Sequence, residues 1–154
     1  MTSASVTVLP SDKTLGAEIR GVDLRHLSDG EFAAIYQAWL DHSVILCRGQ
    51  NLTDHDLIAF SRRFGDLDWA PIQETGRRFV EGLPEIYVVS NIVRDGQHIG
   101  SYDAGSLWHT DGSYLENPHA ISALHALQVP AIDGRTLGDT EFSSTSAAYD
   151  ALPD

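Results

Sequence analysis

His109 and Asp111, two positions apart in the segment 107–114, are the residues of this chain best suited to bind a metal ion. In an extended segment, residues i and i+2 point to the same side, so the imidazole and the carboxylate can meet at one point. Such a pair supplies two of the three ligands of a 2-His-1-carboxylate iron(II) site. We therefore predict that His109 and Asp111 converge at a strand end and bind a metal. A polar strand end with a solvated carboxylate is the alternative.

The composition limits the classes of partner. Of the 154 residues, 22 are Asp or Glu and 10 are Lys or Arg, which gives a net charge of -12 with neutral histidines. This charge disfavours the phosphate backbone of a nucleic acid as a partner. The sequence contains no run of about 20 apolar residues, which is the length that a membrane-spanning helix needs. The expected partners are therefore small molecules.

The single cysteine and the N-terminal residues bear on the compartment. Cys47 cannot form an internal disulfide, and its apolar neighbours predict a buried, inert thiol rather than a reactive one. The first residues lack the charged start and apolar stretch of a secretory signal. Together these features predict a protein of the reducing cytoplasm.

Two helices are expected in the first half of the chain. Ser28 and Glu31 have the spacing of a capping box, and an apolar stripe follows at helical spacing: Phe32, Ile35, Tyr36, Trp39 and Leu40. Thr53 can cap a second helix that carries Leu57, Phe60 and Phe64 on its inner face and stops at Gly65. These apolar positions are expected to form core contacts rather than a cofactor site.

The remaining pattern is mainly that of strands and loops. Strands are predicted over 6–8, 17–19, 44–47, 86–90, 121–129 and 140–142, with the run 44–47 buried and Pro130 ending the long fifth strand. Loops are predicted over 66–84, 93–106 and 131–137, and Asp95-Gly96 is a turn signal. A last helix begins at Thr145. The order predicts a β-rich α+β domain with helices packed outside.

Six blocks occur in an order that resembles one known family, and they lie at 15–24, 44–50, 60–67, 108–111, 138–142 and 147–153. The chain resembles the TauD/TfdA family of Fe(II)/2-oxoglutarate-dependent dioxygenases over nearly its whole length. The resemblance implies the first half of a double-stranded β-helix, or jelly roll, with flanking helices. It also implies oxidation of a small organic, anionic substrate by O2, with release of succinate and CO2.

The resemblance assigns roles to individual residues. His109 and Asp111 match the iron(II) ligands, and Thr140 matches a threonine that binds 2-oxoglutarate, the co-substrate. A strand threonine without a ligand is the alternative for Thr140, and Thr136 is a competitor for its role. The loop after Pro130 is several residues longer than in the family. Leu137 also stands where a glycine is usual, and leucine does not readily adopt positive φ.

Substrate identity is encoded less clearly. Ala70 and Gln73 stand where taurine enzymes have the histidine and tyrosine that hold the sulfonate, so taurine is disfavoured. Ser106, Ser113 and Tyr114 flank the His109–Asp111 pair and are candidates to line the substrate pocket. Tyr114 could equally be a packing aromatic. His98, in the preceding loop, could touch a ligand, whereas His125 is expected to be a buried, hydrogen-bonded histidine.

Two further family residues, a distal iron-binding histidine and an arginine for the far carboxylate of 2-oxoglutarate, have no counterpart in matching context here. We therefore expect residues 1–154 to be the N-terminal part of a single dioxygenase domain, truncated before that histidine and arginine. Such an N-terminal part would expose strand edges. It would therefore need the C-terminal half of the domain to cover them, or it would form a homo-oligomer. The alternative function is an inactive family remnant that acts as a binding or assembly module.

Overall fold

The computed structural model describes residues 6–73 and 76–153, which form two compact units. One unit contains the chain up to Asn51 together with the chain from His125 onward, and the other is Leu52–Leu124. Each unit is described by itself. In the part of the chain described, no helix is both long and apolar enough to cross a membrane.

The first unit is built on a three-stranded sheet. Strands β1 (Thr7–Pro10) and β2 (Ala17–Arg20) are antiparallel, and β2 also pairs in parallel with β3 (Ile45–Cys47). These are the first three strands that the sequence predicts. The expectation that β3 is buried is wrong, because β3 is an edge strand of this sheet, with Leu46 exposed between half-buried neighbours.

Helix α1 (Asp29–His42) connects the two parallel strands and covers the sheet. It begins with the predicted capping box: the Glu31 N–H donates to the Ser28 hydroxyl, and the Ser28 N–H donates to the Glu31 carboxylate. Both interactions satisfy N–H groups that have no partner within the helix. Ile35 and Ala38 lie in the core with Ala17 and Ile19 of β2. The predicted stripe is therefore only partly buried, because Tyr36 and Leu40 are exposed.

Helix α2 (Asp54–Ser61) opens the second unit. Thr53 forms a capping box with Asp56, as the sequence predicts for the N-terminus, but the helix ends at Ser61 rather than at Gly65. Ile58 is its buried residue, whereas Leu57, Phe60 and Phe64 are half-buried. Phe60 and Phe64 pack edge to face, with ring centroids 5.4 Å apart.

Two small hairpins have the same turn chemistry. Strands β4 (Val93–Arg94) and β5 (Gln97–His98) flank Asp95-Gly96, and β6 (Ala131–Ile132) and β7 (Arg135–Thr136) flank Asp133-Gly134. Both Asp-Gly pairs have positive φ at both residues, as a type I′ turn requires. The turn at Asp95-Gly96 is confirmed, but the loop predicted over 131–137 is instead largely a hairpin.

Three predicted strands are wrong. Within 86–90 the chain makes one isolated bridge, Val89 to Ser101, and residues 121–129 and 140–142 are not in strands. Apolar side chains there are exposed, among them Leu124, Leu127 and Phe142. A strand exists only when its backbone groups pair with a neighbour, and an apolar run does not supply that neighbour.

The described residues thus confirm the α+β class but do not form the predicted jelly roll. Their three sheets are small, and two of them are two-residue hairpins. A short third helix, α3 (Thr145–Asp150), follows the capping residue Ser144 at the predicted place. The main difference from the sequence expectation is that residues 121–129 and 140–142 are irregular where strands were predicted.

The core on α1 can be tested with two alanine substitutions on the same helix. Ile35 is fully buried and Leu40 is 54% exposed. We expect Ile35→Ala to lower the free energy of unfolding by about 2–4 kcal/mol because it removes buried methyl groups and leaves a cavity. Leu40→Ala should change it by no more than about 0.5 kcal/mol. Urea unfolding of both variants measures the difference, and equal losses would contradict the assignment of the core.

Cys47 provides a second test of packing in this unit. Cys47 is half-buried rather than buried as predicted, and this partial burial raises the pKa of its thiol from 9.0 to about 11. The thiol is therefore neutral at physiological pH, consistent with the predicted inert cysteine. Because the pKa of Cys47 is higher in the folded chain than in the unfolded chain, the stability that the neutral thiol contributes is intact below pH about 9 and is lost as the pH rises to about 11.

Alkylation tests this packing. At pH about 9 the folded chain should hold roughly fiftyfold less thiolate than the unfolded chain. Iodoacetamide alkylation in buffer and in concentrated urea compares the two, and equal rates would contradict burial.

Candidate metal site

His109 and Asp111 converge in the second unit. The Nε2 atom of His109 lies 3.1 Å from Oδ1 of Asp111, and the side chains are 55% and 52% exposed. The i, i+2 spacing therefore does bring the two groups to one point. The surrounding element is not the predicted strand end, because residues 108–110 are irregular and a turn begins at Asp111.

A left-handed glycine shapes this turn. Gly112 has φ 65 and is buried, although its neighbours Asp111 and Ser113 are exposed. Its carbonyl accepts a hydrogen bond from the Leu115 N–H at 2.9 Å. Glycine adopts this backbone conformation without the steric cost that a Cβ brings. The chain can therefore reverse direction immediately after the Asp111 carboxylate.

The backbone before the pair orients the imidazole. His109 Nδ1 lies 2.7 Å from the Leu107 carbonyl oxygen, which can only accept, so Nδ1 carries a proton and Nε2 faces Asp111. The Leu107 carbonyl is the main cause that raises the pKa of His109. Desolvation opposes the rise, and the charge of Asp111 and a hydrogen bond to it add to the rise. In the neutral ring this arrangement leaves the Nε2 lone pair available to a metal.

Ser122 orients the carboxylate. Its hydroxyl donates to Oδ2 of Asp111 at 2.6 Å, while Oδ1 of the same carboxylate faces His109. The two oxygens of Asp111 therefore have separate roles. Sequence reasoning missed Ser122, since a serine within an apolar run carries no signal that it will meet a carboxylate eleven positions earlier.

A second histidine packs against the turn. The Nδ1 atom of His119 lies 2.9 Å from Oδ2 of Asp68, and the imidazole covers Gly112. A Cβ built on Gly112 would lie 2.7 Å from the Cδ2 atom of this ring. The sequence predicted neither contact. The only available signal was that Asp68 begins the segment considered for substrate binding.

The predicted pocket residues lie on the same stretch of chain. Ser106, Ser113 and Tyr114 are exposed, with the Ser106 N–H donating to the Asp103 carbonyl and the Ser113 N–H to the Thr110 carbonyl. His98 stacks on Tyr102 with ring centroids 4.5 Å apart. Contact of these residues with a substrate stays a prediction.

Thr140 lies in the other unit, exposed and outside any strand. Its binding of 2-oxoglutarate also stays a prediction. The nearby competitor Thr136 lies in β7, and its hydroxyl donates to the Asp139 carboxylate at 3.2 Å. The Leu137 N–H donates to the Pro130 carbonyl and closes the β6–β7 hairpin, so Leu137 needs no positive φ. The extra residues after Pro130 therefore form a hairpin of their own.

The segment after Leu67 holds the two positions that bear on taurine. Ala70 is buried, its N–H donates to the Pro84 carbonyl, and its own carbonyl accepts from the Arg78 guanidinium. The Gln73 side-chain amide donates to the Arg78 carbonyl at 3.4 Å. The Arg78 guanidinium lies 5.1 Å from the centre of the Trp69 ring. Neither Ala70 nor Gln73 offers the cationic ring or phenol that the sulfonate-holding pair would supply.

The donor geometry fits a divalent metal. Cis ligands of an octahedral ion with bonds of about 2.1 Å lie about 3 Å apart, which matches the 3.1 Å between His109 Nε2 and Asp111 Oδ1. Imidazole and carboxylate are also a donor set suited to iron(II). Within residues 6–73 and 76–153, no group of three or more His, Cys, Asp or Glu side chains could hold a metal. The pair thus offers two donors of the right kind and spacing, and its role as a pair of metal ligands stays a prediction.

Comparison with known proteins gives consistent matches. The sequence profile of the taurine catabolism dioxygenase TauD, TfdA family matches residues 7–154. The (S)-phenoxypropionate/alpha-ketoglutarate-dioxygenase of Delftia acidovorans is 33% identical over 159 residues, which cover 96% of this chain and 49% of that protein. The alpha-ketoglutarate-dependent 2,4-dichlorophenoxyacetate dioxygenase of Cupriavidus pinatubonensis is 34% identical over 158 residues, with coverage of 97% and 53%.

A solved structure is similar as well. A taurine dioxygenase from Burkholderia xenovorans aligns with a TM-score of 0.56 and 33% identity, over 74% of this chain and 37% of that one. This chain spans about half the length of the curated relatives described above.

Proposed function

Because this chain belongs to the taurine catabolism dioxygenase TauD, TfdA family, we propose that the complete gene product is an Fe(II)/2-oxoglutarate-dependent dioxygenase. It oxidises a small anionic organic substrate with O2 and releases succinate and CO2. The observation that carries the proposal is the approach of His109 Nε2 to Asp111 Oδ1 within 3.1 Å. Relatives named for phenoxypropionate and 2,4-dichlorophenoxyacetate support an anionic substrate.

His109 and Asp111 would hold the iron through Nε2 and Oδ1. Bound iron(II) supplies coordination positions at which 2-oxoglutarate and O2 react. The chain's own contribution is to fix the two donors in advance: the Leu107 carbonyl holds the ring, and the Ser122 hydroxyl holds the far carboxylate oxygen. Groups that contact a ligand in this way lower the cost of ordering it when the metal binds. A third ligand, a histidine by the family pattern, completes the proposed site in the full protein.

Thr140 is the proposed contact to 2-oxoglutarate. The extra residues after Pro130 form the β6–β7 hairpin, so the sequence Gly138-Asp139-Thr140 resumes the family motif after that hairpin. Gly138 has φ 76, a conformation in which glycine is favoured. These features favour Thr140 over Thr136, whose hydroxyl is engaged with Asp139.

We propose that taurine is not the preferred substrate. A sulfonate needs charge-assisted hydrogen bonds, each worth about 1.5–3 kcal/mol, and a buried Ala70 cannot donate one from its side chain. Ser106, Ser113 and Tyr114 are the proposed contacts to substrate. Their exposure leaves them accessible to one.

The remainder of the protein would complete the fold. We propose that the full domain is a double-stranded β-helix in which further strands pair with the chain near 121–129. Leu124, Leu127 and Val129 are exposed there and would become covered. The same exposure favours the second candidate function, an assembly module that associates through exposed apolar residues of this stretch. We propose that the protein acts in the cytoplasm.

The enzymatic proposal is tested on the complete gene product by following succinate release from 2-oxoglutarate with iron(II) and O2. A panel of a phenoxyalkanoate, an alkyl sulfate and taurine gives the substrate class. We expect the phenoxyalkanoate to give the highest kcat/KM, in line with the relatives named for such substrates. His109→Ala should abolish turnover, whereas His55→Ala, an exposed histidine on α2, should not.

Two outcomes would contradict parts of this account. Turnover that survives His109→Ala would reject the metal assignment. A highest kcat/KM with taurine would reject the interpretation of Ala70 and Gln73 but leave the metal site intact. Absence of turnover with every substrate, together with concentration-dependent self-association, would favour the assembly module.

Ser122 gives a separate prediction. Ser122→Ala removes the hydroxyl that holds Oδ2 of Asp111, so the carboxylate must be ordered when a metal binds. We expect Mn(II) affinity to fall by about tenfold, the lower end of the range for groups that contact a metal ligand. Ser146→Ala, on the exposed face of α3, is the matched control. Equal affinities of the two variants would show that Ser122 does not position the ligand.

A further inference from the structure

We propose that His119 and Asp68 form a clasp that positions the turn of the metal site, with His119 acting through Gly112. The proposal rests on the proposed metal-binding function of His109 and Asp111. It concerns residues of the second unit alone. His119 lies against Asp68 and Gly112, and through this turn it acts on His109 and Asp111, so His119 and Asp68 are positioning residues.

The first observation is the fit of the His119 ring to Gly112. Three ring atoms, Cδ2, Cγ and Nε2, would lie within 2.9 Å of a Cβ at position 112. Real Cβ contacts are never this close, so the ring occupies the space that a side chain would fill. Gly112 is consequently buried while the residues on either side of it are exposed. The ring thus covers the backbone directly after Asp111.

The second observation is the contact between Asp68 and His119 that holds the ring. Asp68 Oδ2 lies 2.9 Å from His119 Nδ1 and fixes the orientation of the imidazole. The side chain of His119 is 29% exposed and that of Asp68 is 71% exposed. At such a surface position the contact adds little to the free energy of unfolding, so we assign it the role of orienting the imidazole. Asp68 directly follows Leu67, at the start of the segment that contains Ala70 and Gln73. The clasp therefore links that segment to the turn.

The clasp and Ser122 hold the same turn at two points. The segment from His119 to Ser122 places the ring on Gly112 and the hydroxyl on Asp111 Oδ2. The contact of the ring with Gly112 restricts the position of the turn. The hydrogen bond from Ser122 restricts the rotation of the Asp111 carboxylate. Loss of the ring frees the position of the turn, and the Asp111 carboxylate then lies less often where His109 Nε2 can share a metal with it.

The test compares Mn(II) affinity and urea unfolding in variants of the complete gene product. Asp68→Ala removes the acceptor, whereas Asp68→Asn retains an oxygen that can accept from His119 Nδ1. Asp66→Ala removes the same charge two positions earlier and controls for long-range electrostatics. We expect Asp68→Ala and His119→Ala to weaken Mn(II) binding by about threefold or more, and Asp68→Asn and Asp66→Ala to weaken it by less than about twofold.

A double substitution isolates the contact with Gly112. Gly112→Ala alone should weaken Mn(II) binding further, because its Cβ meets the ring and its φ is unfavourable for alanine. The double variant Gly112→Ala, His119→Ala should bind Mn(II) more tightly than the sum of the two single effects predicts, because the alanine Cβ no longer clashes with the His119 ring. Additive losses would overturn the clasp. So would equal Mn(II) binding by Asp68→Ala and Asp66→Ala.

The proposed metal function and the proposed clasp predict different failures in these variants. If His109→Ala binds Mn(II) as tightly as the parent protein, the proposed metal function is wrong. If His109→Ala abolishes binding but His119→Ala changes only the urea midpoint and not the affinity, the metal site stands and the clasp is overturned as a positioning device. Non-additive Mn(II) affinities in the presence of an intact His109 support the clasp.

Discussion

The convergence of the His109 imidazole and the Asp111 carboxylate depends on a backbone that reverses at Gly112. Only a residue without a Cβ can both adopt φ 65 cheaply and leave room for the His119 ring. With this reversal in place, the Leu107 carbonyl, which precedes the pair in the chain, holds the His109 ring. The Ser122 hydroxyl, which follows the pair, holds the Asp111 carboxylate. The chemistry of the site therefore follows from one tight turn.

The proposed site is exposed, which is consistent with a metal that must also bind a co-substrate, and the proposal assigns its third ligand to the rest of the protein. His109 and Asp111 are each about half exposed, and the described residues add no third His, Cys, Asp or Glu. A buried four-ligand site would instead indicate a structural metal. Open coordination is what a reaction with O2 and a 2-oxo acid needs. The family to which the chain belongs is consistent with this chemistry.

Local signals predicted local structure well. The capping box at Ser28, the helix cap at Thr53 and the turn at Asp95-Gly96 each depend on residues within four positions of one another, so the sequence carries their full pattern. The His109–Asp111 approach is equally local. The strands predicted over 121–129 and 140–142 failed because a strand needs a partner, and apolar composition does not specify one. The contacts of Asp111 with Ser122 and of His119 with Asp68 join residues that are distant in the sequence. No local sequence pattern predicts such contacts.

The most direct test of the central claim is to detect the His109 nitrogen at the metal. Pulsed EPR of Mn(II) bound to the complete gene product, labelled with ¹⁵N-histidine, reports each imidazole that coordinates the ion. If His109 binds the metal, the ¹⁵N hyperfine coupling weakens or disappears in His109→Ala and persists in His55→Ala. A ¹⁵N coupling of unchanged intensity in His109→Ala would show that other histidines hold the metal and that the pair at 109 and 111 does not bind it.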